Sequence, residues 1–160
     1  MFSVAFNLER SIVINKPVSE VFEVLANFKT WPTWSPWLTQ EPACPVTVNN
    51  EVASIGHEQS WEGKNIGSGK MHITHIEPNQ RIDYDLYFLK PWKSQSQTSF
   101  IFEVINGQTK VTWTMQSTLP IFMFWMKKMM TALVGSDYVR GLTMLQDLCE
   151  TGSVPSKMDT

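Results

Sequence analysis

The first regular pattern in the chain is an alternation of apolar and polar residues from Phe6 to Ile14. Alternation with period two predicts a β-strand that buries one face. After Pro17 the apolar residues recur at helical spacing, which predicts a helix to about Lys29 with Ser19 as a candidate N-cap. The prolines between Trp31 and Trp37 then allow only a short second helix.

The middle of the chain, from Val46 to Gln116, returns to period two in short runs that are separated by turn residues. Asn106-Gly107 is the clearest turn, because both residues tolerate the positive φ of a type I′ hairpin. We therefore predict a meander of about six antiparallel strands, and a sheet of about seven strands with the first strand included.

After Pro120 the helical period returns and continues to about Cys149, which predicts one helix of roughly 40 Å. The last residues are polar and show no periodicity. We assign residues 1–150 to a single α+β domain and residues 151–160 to a flexible C-terminal tail.

The predicted sheet is wider than one helix can cover. Seven strands span roughly 30 Å at about 4.8 Å each, whereas a helix covers a band of about 10 Å. A twisted sheet can curl around the helix, with the short helices closing one end, but the interior must then be filled by side chains or by a bound molecule. Seven Trp and nine Met residues suit the irregular apolar cavity that this geometry predicts.

Composition narrows the function classes. The chain has 160 residues, 42% of them hydrophobic, and a net charge of -2, which excludes the basic excess of a nucleic-acid-binding protein. Cys44 and Cys149 are too few for a disulfide framework, and the first 17 residues lack the apolar core of a secretion signal. The longest apolar run, Ile121 to Met126, is too short to span a bilayer. We therefore expect a cytoplasmic protein without stable membrane insertion.

Two segments near the N-terminus, Ile12–Pro17 and Glu20–Leu25, resemble the opening of the START-like (SRPBCC, helix-grip) superfamily, and specifically its bacterial polyketide cyclase/dehydrase and lipid-transport branch. The resemblance extends over about Phe6 to Glu150. Six later segments resemble recurrent blocks of that branch: Ser60–Gly63, Gly67–Ile73, Glu77–Arg81, Phe88–Trp92, Thr109–Trp113 and Gly135–Leu142.

This resemblance implies a helix-grip fold, in which a seven-stranded antiparallel curled sheet surrounds a long C-terminal helix and two short helices follow the first strand. It also implies an internal cavity for apolar or aromatic small molecules. It does not imply catalysis, since the superfamily includes carriers and sensors as well as enzymes and since a fold does not determine a function.

Two pairs of polar residues in the predicted sheet are weak candidates for chemistry. His72 and His75 are three strand residues apart and point to opposite faces, so a shared metal site is not expected. His75 has the parity of the apolar residues of its strand, which leaves open a position in the cavity or at the surface. Asp83 and Asp85 alternate with Tyr84 and its apolar neighbours, so we expect both carboxylates to face solvent.

The set His57, Gln59 and Trp61 is more promising, because alternate residues share one face of a strand. The Gln59 amide can both donate and accept a hydrogen bond, and His57 could exchange a proton near neutral pH. The alternative for His57 is a hydrated position at the strand end. We find no nucleophile, phosphate-loop or metalloprotease motif in the chain, and we predict no metal and no cofactor.

Aromatic and methionine side chains complete the predicted cavity. Trp31, Trp34 and Trp37 are spaced by three, so they form either a satellite core or a rigid lip at the mouth. We predict that the ligand is bound by Trp34, Trp37, His57, Gln59, Trp61, Met71, Tyr84, Phe100, Trp113, Met126 and Met130.

These features predict a protein that binds an apolar or aromatic small molecule, lipid-like or polyketide-like, without transforming it. Three alternatives stay open. The first is an enzyme of the cyclase or dehydratase kind that uses a cavity His or Gln. The second is a lipid or quinone carrier that touches membranes through Ile121 to Met126 and the two lysines that follow. The third is an interaction module resembling the activator-of-chaperone branch, for which no specific residue is found.

Overall fold

The computed structural model describes residues 3–90, 93–120, 125 and 127–154. Within these residues, seven antiparallel strands form one sheet in the order β1-β7-β6-β5-β4-β3-β2. Strands β2 to β7 are neighbours in sequence and in space, so the predicted meander is confirmed, and β1 closes the other end of the sheet by pairing with β7. The strands are β1 (Ser3–Ile14), β2 (Val46–Asn49), β3 (Glu58–Glu62), β4 (Ser68–Glu77), β5 (Arg81–Lys90), β6 (Ser94–Ile105) and β7 (Gln108–Pro120).

Short helices connect β1 to β2. Helix α1 spans Val18–Leu25, and Ser19 lies inside it, because the cap residue is Pro17 in an extended conformation. The predicted continuation to Lys29 is wrong: Asn27 accepts a hydrogen bond from the Lys29 amide and begins a separate 3-10 helix. The short elements of this connection are the 3-10 helices Phe28–Thr30 and Leu38–Gln40 and helix α2, Trp31–Trp34.

The long helix α3 spans Lys127–Thr151 and packs against β1. The sheet that surrounds it confirms the predicted α+β helix-grip fold. Among the described residues of the predicted apolar stripe, Tyr138, Leu142 and Leu145 are buried, whereas Leu148 and Cys149 are partly buried. Val154, which the sequence analysis places in the tail, is also buried, whereas residues 155–160 lie outside the described part of the chain. No helix in the described ranges is long and apolar enough to cross a bilayer.

A β-bulge in β4 changes which side chains face the core. Ile73 lies opposite Tyr84 and His75 lies opposite Asp83, so Thr74 is an extra residue without a partner. The extra residue reverses the alternation, and His75 therefore faces solvent with about half of its side chain exposed. Of the two positions that the parity of His75 left open, the cavity and the surface, the structure shows the surface.

Aromatic side chains fill most of the interior that the curled sheet encloses. Trp113 is parallel to Tyr138, with ring centroids 3.8 Å apart, and stacks on Phe100 at 4.9 Å. Trp31 and Trp34 from α2 pack edge-on against Trp113. We call these five residues the aromatic cluster; each is at most 1% exposed. The wide apolar interior is therefore occupied mainly by the protein's own rings.

Candidate functional site: a half-open apolar cavity

A cavity of about 50 Å³ remains between the 3-10 helix Leu38–Gln40 and the inner face of β3, β4 and β5. For comparison, an engineered apolar cavity of about 150 Å³ is large enough to bind benzene. The cavity has a buried floor and a half-buried rim. It is lined by Trp31, Ser35, Trp37, Leu38, Gln59, Trp61, Ile66, Met71, Leu86 and Phe88.

Gln59 is the distinctive polar residue of the lining. It lies on β3 between Val48 of β2 and Met71 of β4, and only 2% of it is exposed. Its Oε1 atom is buried and accepts no hydrogen bond. Such atoms are rare in folded proteins, because an unpaired buried acceptor loses its hydration without compensation.

Trp61 forms one side of the rim. Its indole can lie there because the partner residue on strand β4 is a glycine, which has no side chain. Gly69 of β4 is its cross-strand partner, and a Cβ atom at Gly69 would lie 2.7 Å from the Trp61 ring. The indole therefore lies over the glycine, and its edge meets Phe88 at a centroid distance of 6.4 Å. The sequence predicts Trp61 as a ligand-binding residue, and its position on the rim requires a glycine at residue 69.

Trp37 forms the other side of the rim and is tied to α3. Its Nε1 donates to Asp137 Oδ2 at 3.1 Å, and Asp137 in turn pairs with Arg140 at 3.1 Å. Arg140 Nη2 also donates to the carbonyl oxygen of Pro36 at 2.8 Å. These three contacts fix the segment that covers the cavity to the long helix.

Ile66 lies at the rim, in the loop between β3 and β4. The Glu41 side chain holds this loop in place through hydrogen bonds. The Glu41 carboxylate accepts hydrogen bonds from the amides of Asn65 at 2.7 Å, Lys64 at 2.8 Å and Ile66 at 3.3 Å. These bonds, chiefly those from Asn65 and Lys64, lower the pKa of the Glu41 carboxyl. No sequence signal singles out Glu41, because its partners are backbone groups more than 20 residues away.

His57 is buried but does not line the cavity. Its Nε2 accepts a hydrogen bond from the Phe28 amide at 3.0 Å, and its Nδ1 lies 3.1 Å from the carbonyl oxygen of Asn49. The carbonyl requires a proton on Nδ1, so both ring nitrogens are satisfied in the neutral form. The hydrated strand-end alternative is therefore wrong: His57 joins the end of β2 to the helical connection.

The structure brings together only part of the predicted ligand set. Trp37, Gln59, Trp61 and Met71 line the cavity. Met130 is partly buried against the core, and Met126 lies outside the described residues. The remaining predicted residues are fully buried core and do not line it: Trp34, His57, Tyr84, Phe100 and Trp113.

Leu86 and Phe88 line the cavity but were not among the predicted ligand residues. The signal that could have found them is their parity, since both alternate with the outward-facing Asp83 and Asp85 on β5. Trp31, Ser35, Leu38 and Ile66 come from irregular or short helical segments, for which a strand alternation offers no guide.

On the outer face of the sheet, Asp83 is engaged by neighbouring side chains. Asp83 Oδ1 accepts hydrogen bonds from Arg81 Nε and Ser99 Oγ, both at 2.7 Å, and thus belongs to a surface network, as the alternation predicts. Among the residues that the structure describes, no three His, Cys, Asp or Glu side chains are grouped so that they could hold a metal ion.

A sheet that curls around a long terminal helix and leaves a cavity under short helices defines the helix-grip class of proteins. Within that class, the chain belongs to the family described as polyketide cyclase / dehydrase and lipid transport, whose family model matches residues 5–150. The resemblance found in the sequence is thereby confirmed.

Solved structures of the same fold are similar to the chain at low sequence identity. Protein CV1439 from Chromobacterium violaceum is 13% identical with a TM-score of 0.66, over 90% of this chain and 96% of that one. The Aha1 dimer from Colwellia psychrerythraea is 19% identical with a TM-score of 0.65, over 91% and 97%. DynU16, a protein of the dynemicin biosynthetic locus, is 15% identical with a TM-score of 0.66, over 92% and 48%. A comparison with the curated proteins finds no match.

Proposed function

We propose that the chain binds a small apolar or aromatic molecule in this cavity and holds it without transforming it. The observation that carries the proposal is the unpaired Oε1 of Gln59 in the wall of an otherwise almost entirely apolar cavity. An unsatisfied buried acceptor costs about 1–3 kcal/mol, and a bound molecule with a suitable donor removes that cost. A few polar groups in an apolar lining are typical of sites for small molecules.

The composition of the lining favours binding over catalysis. Acid–base chemistry needs a titratable side chain within reach of the substrate. None of the ten lining residues of this cavity is ionisable. His57, the candidate base in the sequence, has both ring nitrogens engaged by the backbone. The cyclase or dehydratase alternative therefore has no ionisable proton carrier among the residues that line this cavity.

Because the cavity is small, a ligand either inserts only one end of its own structure or moves the side chains of the rim. Sites for drug-sized molecules measure about 300–1,000 Å³, far more than the space present here. Trp37 is tied to Asp137 and packs against Trp113 and Tyr138 of the aromatic cluster. The half-buried rim residues Trp61 and Phe88 are therefore the side chains whose rotation enlarges the site without unpacking that cluster.

Isothermal titration calorimetry with p-propylphenol, octanol and naphthoquinone tests the proposal. We expect saturable binding of at least one probe, and loss of that binding in Met71→Trp, which fills the floor of the cavity. Val104→Leu, on an exposed position of β6, is the matched control and should bind as the wild type does. Absence of binding by all three probes, or equal binding by folded Met71→Trp, contradicts the proposal.

A second candidate, a lipid carrier that visits membranes, is favoured by a separate surface. Trp125, Met129 and Leu133 are spaced by four residues and are 66%, 49% and 58% exposed. Lys127 and Lys128 lie beside them and are also exposed. Apolar side chains flanked by cations suit the interface of an anionic bilayer. The other residues of the predicted membrane segment, 121–124 and 126, lie outside the described ranges.

Cosedimentation with vesicles tests this candidate. We expect more protein to pellet with phosphatidylcholine vesicles that contain phosphatidylglycerol than with phosphatidylcholine alone. Leu133→Ser should reduce the pelleted fraction, whereas Val139→Ser, 51% exposed on another side of the same helix, should not. Equal recovery in the supernatant with both vesicles removes the carrier candidate.

A further inference from the structure

We infer that the cavity selects an uncharged molecule with a hydroxyl group, which donates its hydrogen bond to Oε1 of Gln59; this inference rests on the proposed function. It extends that function from a general apolar ligand to a chemical class. Three features of the cavity support it: the hydrogen-bonding state of Gln59, the charge of the lining, and the depth of the amide.

The hydrogen-bonding state of Gln59 defines the polar group of the ligand. Oε1 is an acceptor without a partner, so the ligand must offer a donor. A hydroxyl is both a donor and an acceptor, and therefore pairs with the Gln59 side chain whichever end of the amide faces the cavity. An ether or a hydrocarbon of the same shape leaves Oε1 unpaired and keeps its desolvation cost.

The charge of the lining excludes an ionised ligand head. The ten lining residues include no lysine, arginine or histidine that could neutralise a carboxylate. Burying an unpaired carboxylate costs far more than burying a hydroxyl. A fatty or aromatic acid therefore cannot place its head group beside Gln59, whereas a phenol or an alcohol can.

The depth of Gln59 defines the orientation of the ligand. Gln59 is 2% exposed, and Met71 and Leu86, which follow it across the sheet, are 3% and 2% exposed. Trp61 and Phe88 on the rim are only half-buried. The hydroxyl end consequently enters first, and the apolar body lies outward against the two rim rings.

Three matched probes test the inference by calorimetry: p-propylphenol, its methyl ether p-propylanisole, and p-propylbenzoate. Wild-type protein should bind the phenol about tenfold more tightly than the ether, which is the effect of one unpaired buried group. It should bind the benzoate more weakly still. In Gln59→Leu the phenol and the ether should bind equally, and Gln97→Leu, on the outer face of β6, should keep the wild-type ratio.

The outcomes separate this inference from the proposed function. If the ether binds as tightly as the phenol, or if the benzoate binds best, the inference is overturned while the cavity remains a binding site. If the tenfold ratio persists in folded Gln59→Leu and in the near-isosteric Gln59→Met, Gln59 is not the partner and the inference is overturned. If none of the three probes binds saturably to the wild type, the inference is overturned, and the proposed function fails with it only if octanol and naphthoquinone do not bind either.

Discussion

His57 and Gln59 are two residues apart on one side of the chain, yet they have opposite hydrogen-bonding states. His57 is 0% exposed and its ring stacks on Phe28 at 4.9 Å, with both nitrogens next to backbone partners. Gln59 is 2% exposed and its oxygen has no partner. A buried polar residue whose partners are all supplied by the protein supports the structure, whereas the unpaired Gln59 oxygen in the cavity wall is available to accept a hydrogen bond from a ligand.

We predict that His57→Ala lowers the free energy of unfolding by about 2–4 kcal/mol. The change leaves the buried Phe28 amide without its acceptor and removes the ring that packs on Phe28. Urea denaturation followed by circular dichroism measures the loss. His75→Ala is the control, because the exposed His75 side chain should contribute less than about 0.5 kcal/mol. Equal effects of the two substitutions would show that the His57 contacts do not stabilise the fold.

Parity along β3 places Gln59 and Trp61 on one face, and the resemblance of Ser60–Gly63 to the family block indicates that this face points inward, so this part of the candidate site could be predicted from the sequence. Whether an inner polar residue is satisfied could not be predicted in the same way. The donor to His57 comes from Phe28, 29 residues away, and no periodicity encodes that distance. A local pattern gives the direction of a side chain but not the groups that meet it.

At the scale of elements, helix α3 approaches its neighbours through two glycines with different surroundings. A Cβ atom at Gly141 would lie 2.8 Å from Pro36 Cδ and 3.1 Å from the Trp113 ring. A Cβ atom at Gly135 would meet only the guanidinium end of Arg10. The first neighbour belongs to the rigid packing around the aromatic cluster, and the second is the tip of a flexible side chain.

We therefore predict opposite effects of the same substitution on one helix. Gly141→Ala should lower the free energy of unfolding by about 1–2 kcal/mol, because the cost of overpacking exceeds the gain in helix propensity. Gly135→Ala should leave stability unchanged or raise it by up to about 1 kcal/mol. Thermal and urea unfolding of both variants provide the comparison. A stabilised Gly141→Ala would mean that α3 does not pack tightly against Pro36.

The elements themselves could largely be predicted, since the meander, the Asn106-Gly107 hairpin and the long helix each follow from a period or a turn. Asn106 and Gly107 both have positive φ, at 50° and 79°. The exceptions have local causes. The bulge at Thr74 interrupts the alternation of β4, and the exposed Met129 shows that an apolar stripe on α3 is not buried over its whole length.

At the scale of the whole molecule, Tyr84 and Tyr138 are both buried, at 1% and 0% exposed. Tyr138 donates or accepts a hydrogen bond with Thr98 at 3.1 Å, and Tyr84 donates to the carbonyl oxygen of Leu25 at 3.0 Å. Burial raises the pKa of both phenols well above the ordinary value. The folded protein therefore retains both protons at a pH at which the unfolded chain releases them.

The free energy of unfolding therefore decreases at alkaline pH. The full stability is present below the unfolded tyrosine pKa of about 10, and it decreases above that pH by up to about 1.4 kcal/mol per pH unit for each tyrosine. Tyr138→Phe should reduce this slope. Thr98→Val removes the same hydrogen bond without removing a phenol and should keep the slope. Urea unfolding between about pH 9 and about pH 12 measures it, and an unchanged slope in Tyr138→Phe would contradict the prediction.

The cavity shows the limit of prediction at this scale. Its existence follows from comparing the width of a seven-stranded sheet with that of one helix. Its volume does not, because it depends on how Trp31 and Trp34 of α2 pack against Trp113 in three dimensions. Trp34 and Trp113, which the sequence predicts as part of the ligand site, are fully buried core in the structure.

The pairing of β1 with β7 has a consequence for how the protein is made. Ser3 lies opposite Pro120, so β1 leaves the ribosome before the other six described strands and pairs within the described sheet only when β7 has been made. Strands β2 to β7 pair with neighbours that are close in sequence, so their hairpins can form while the chain is being synthesised. We expect the nascent chain to remain open until about residue 120 is available, with the inner apolar face of β1 exposed to chaperones during that interval.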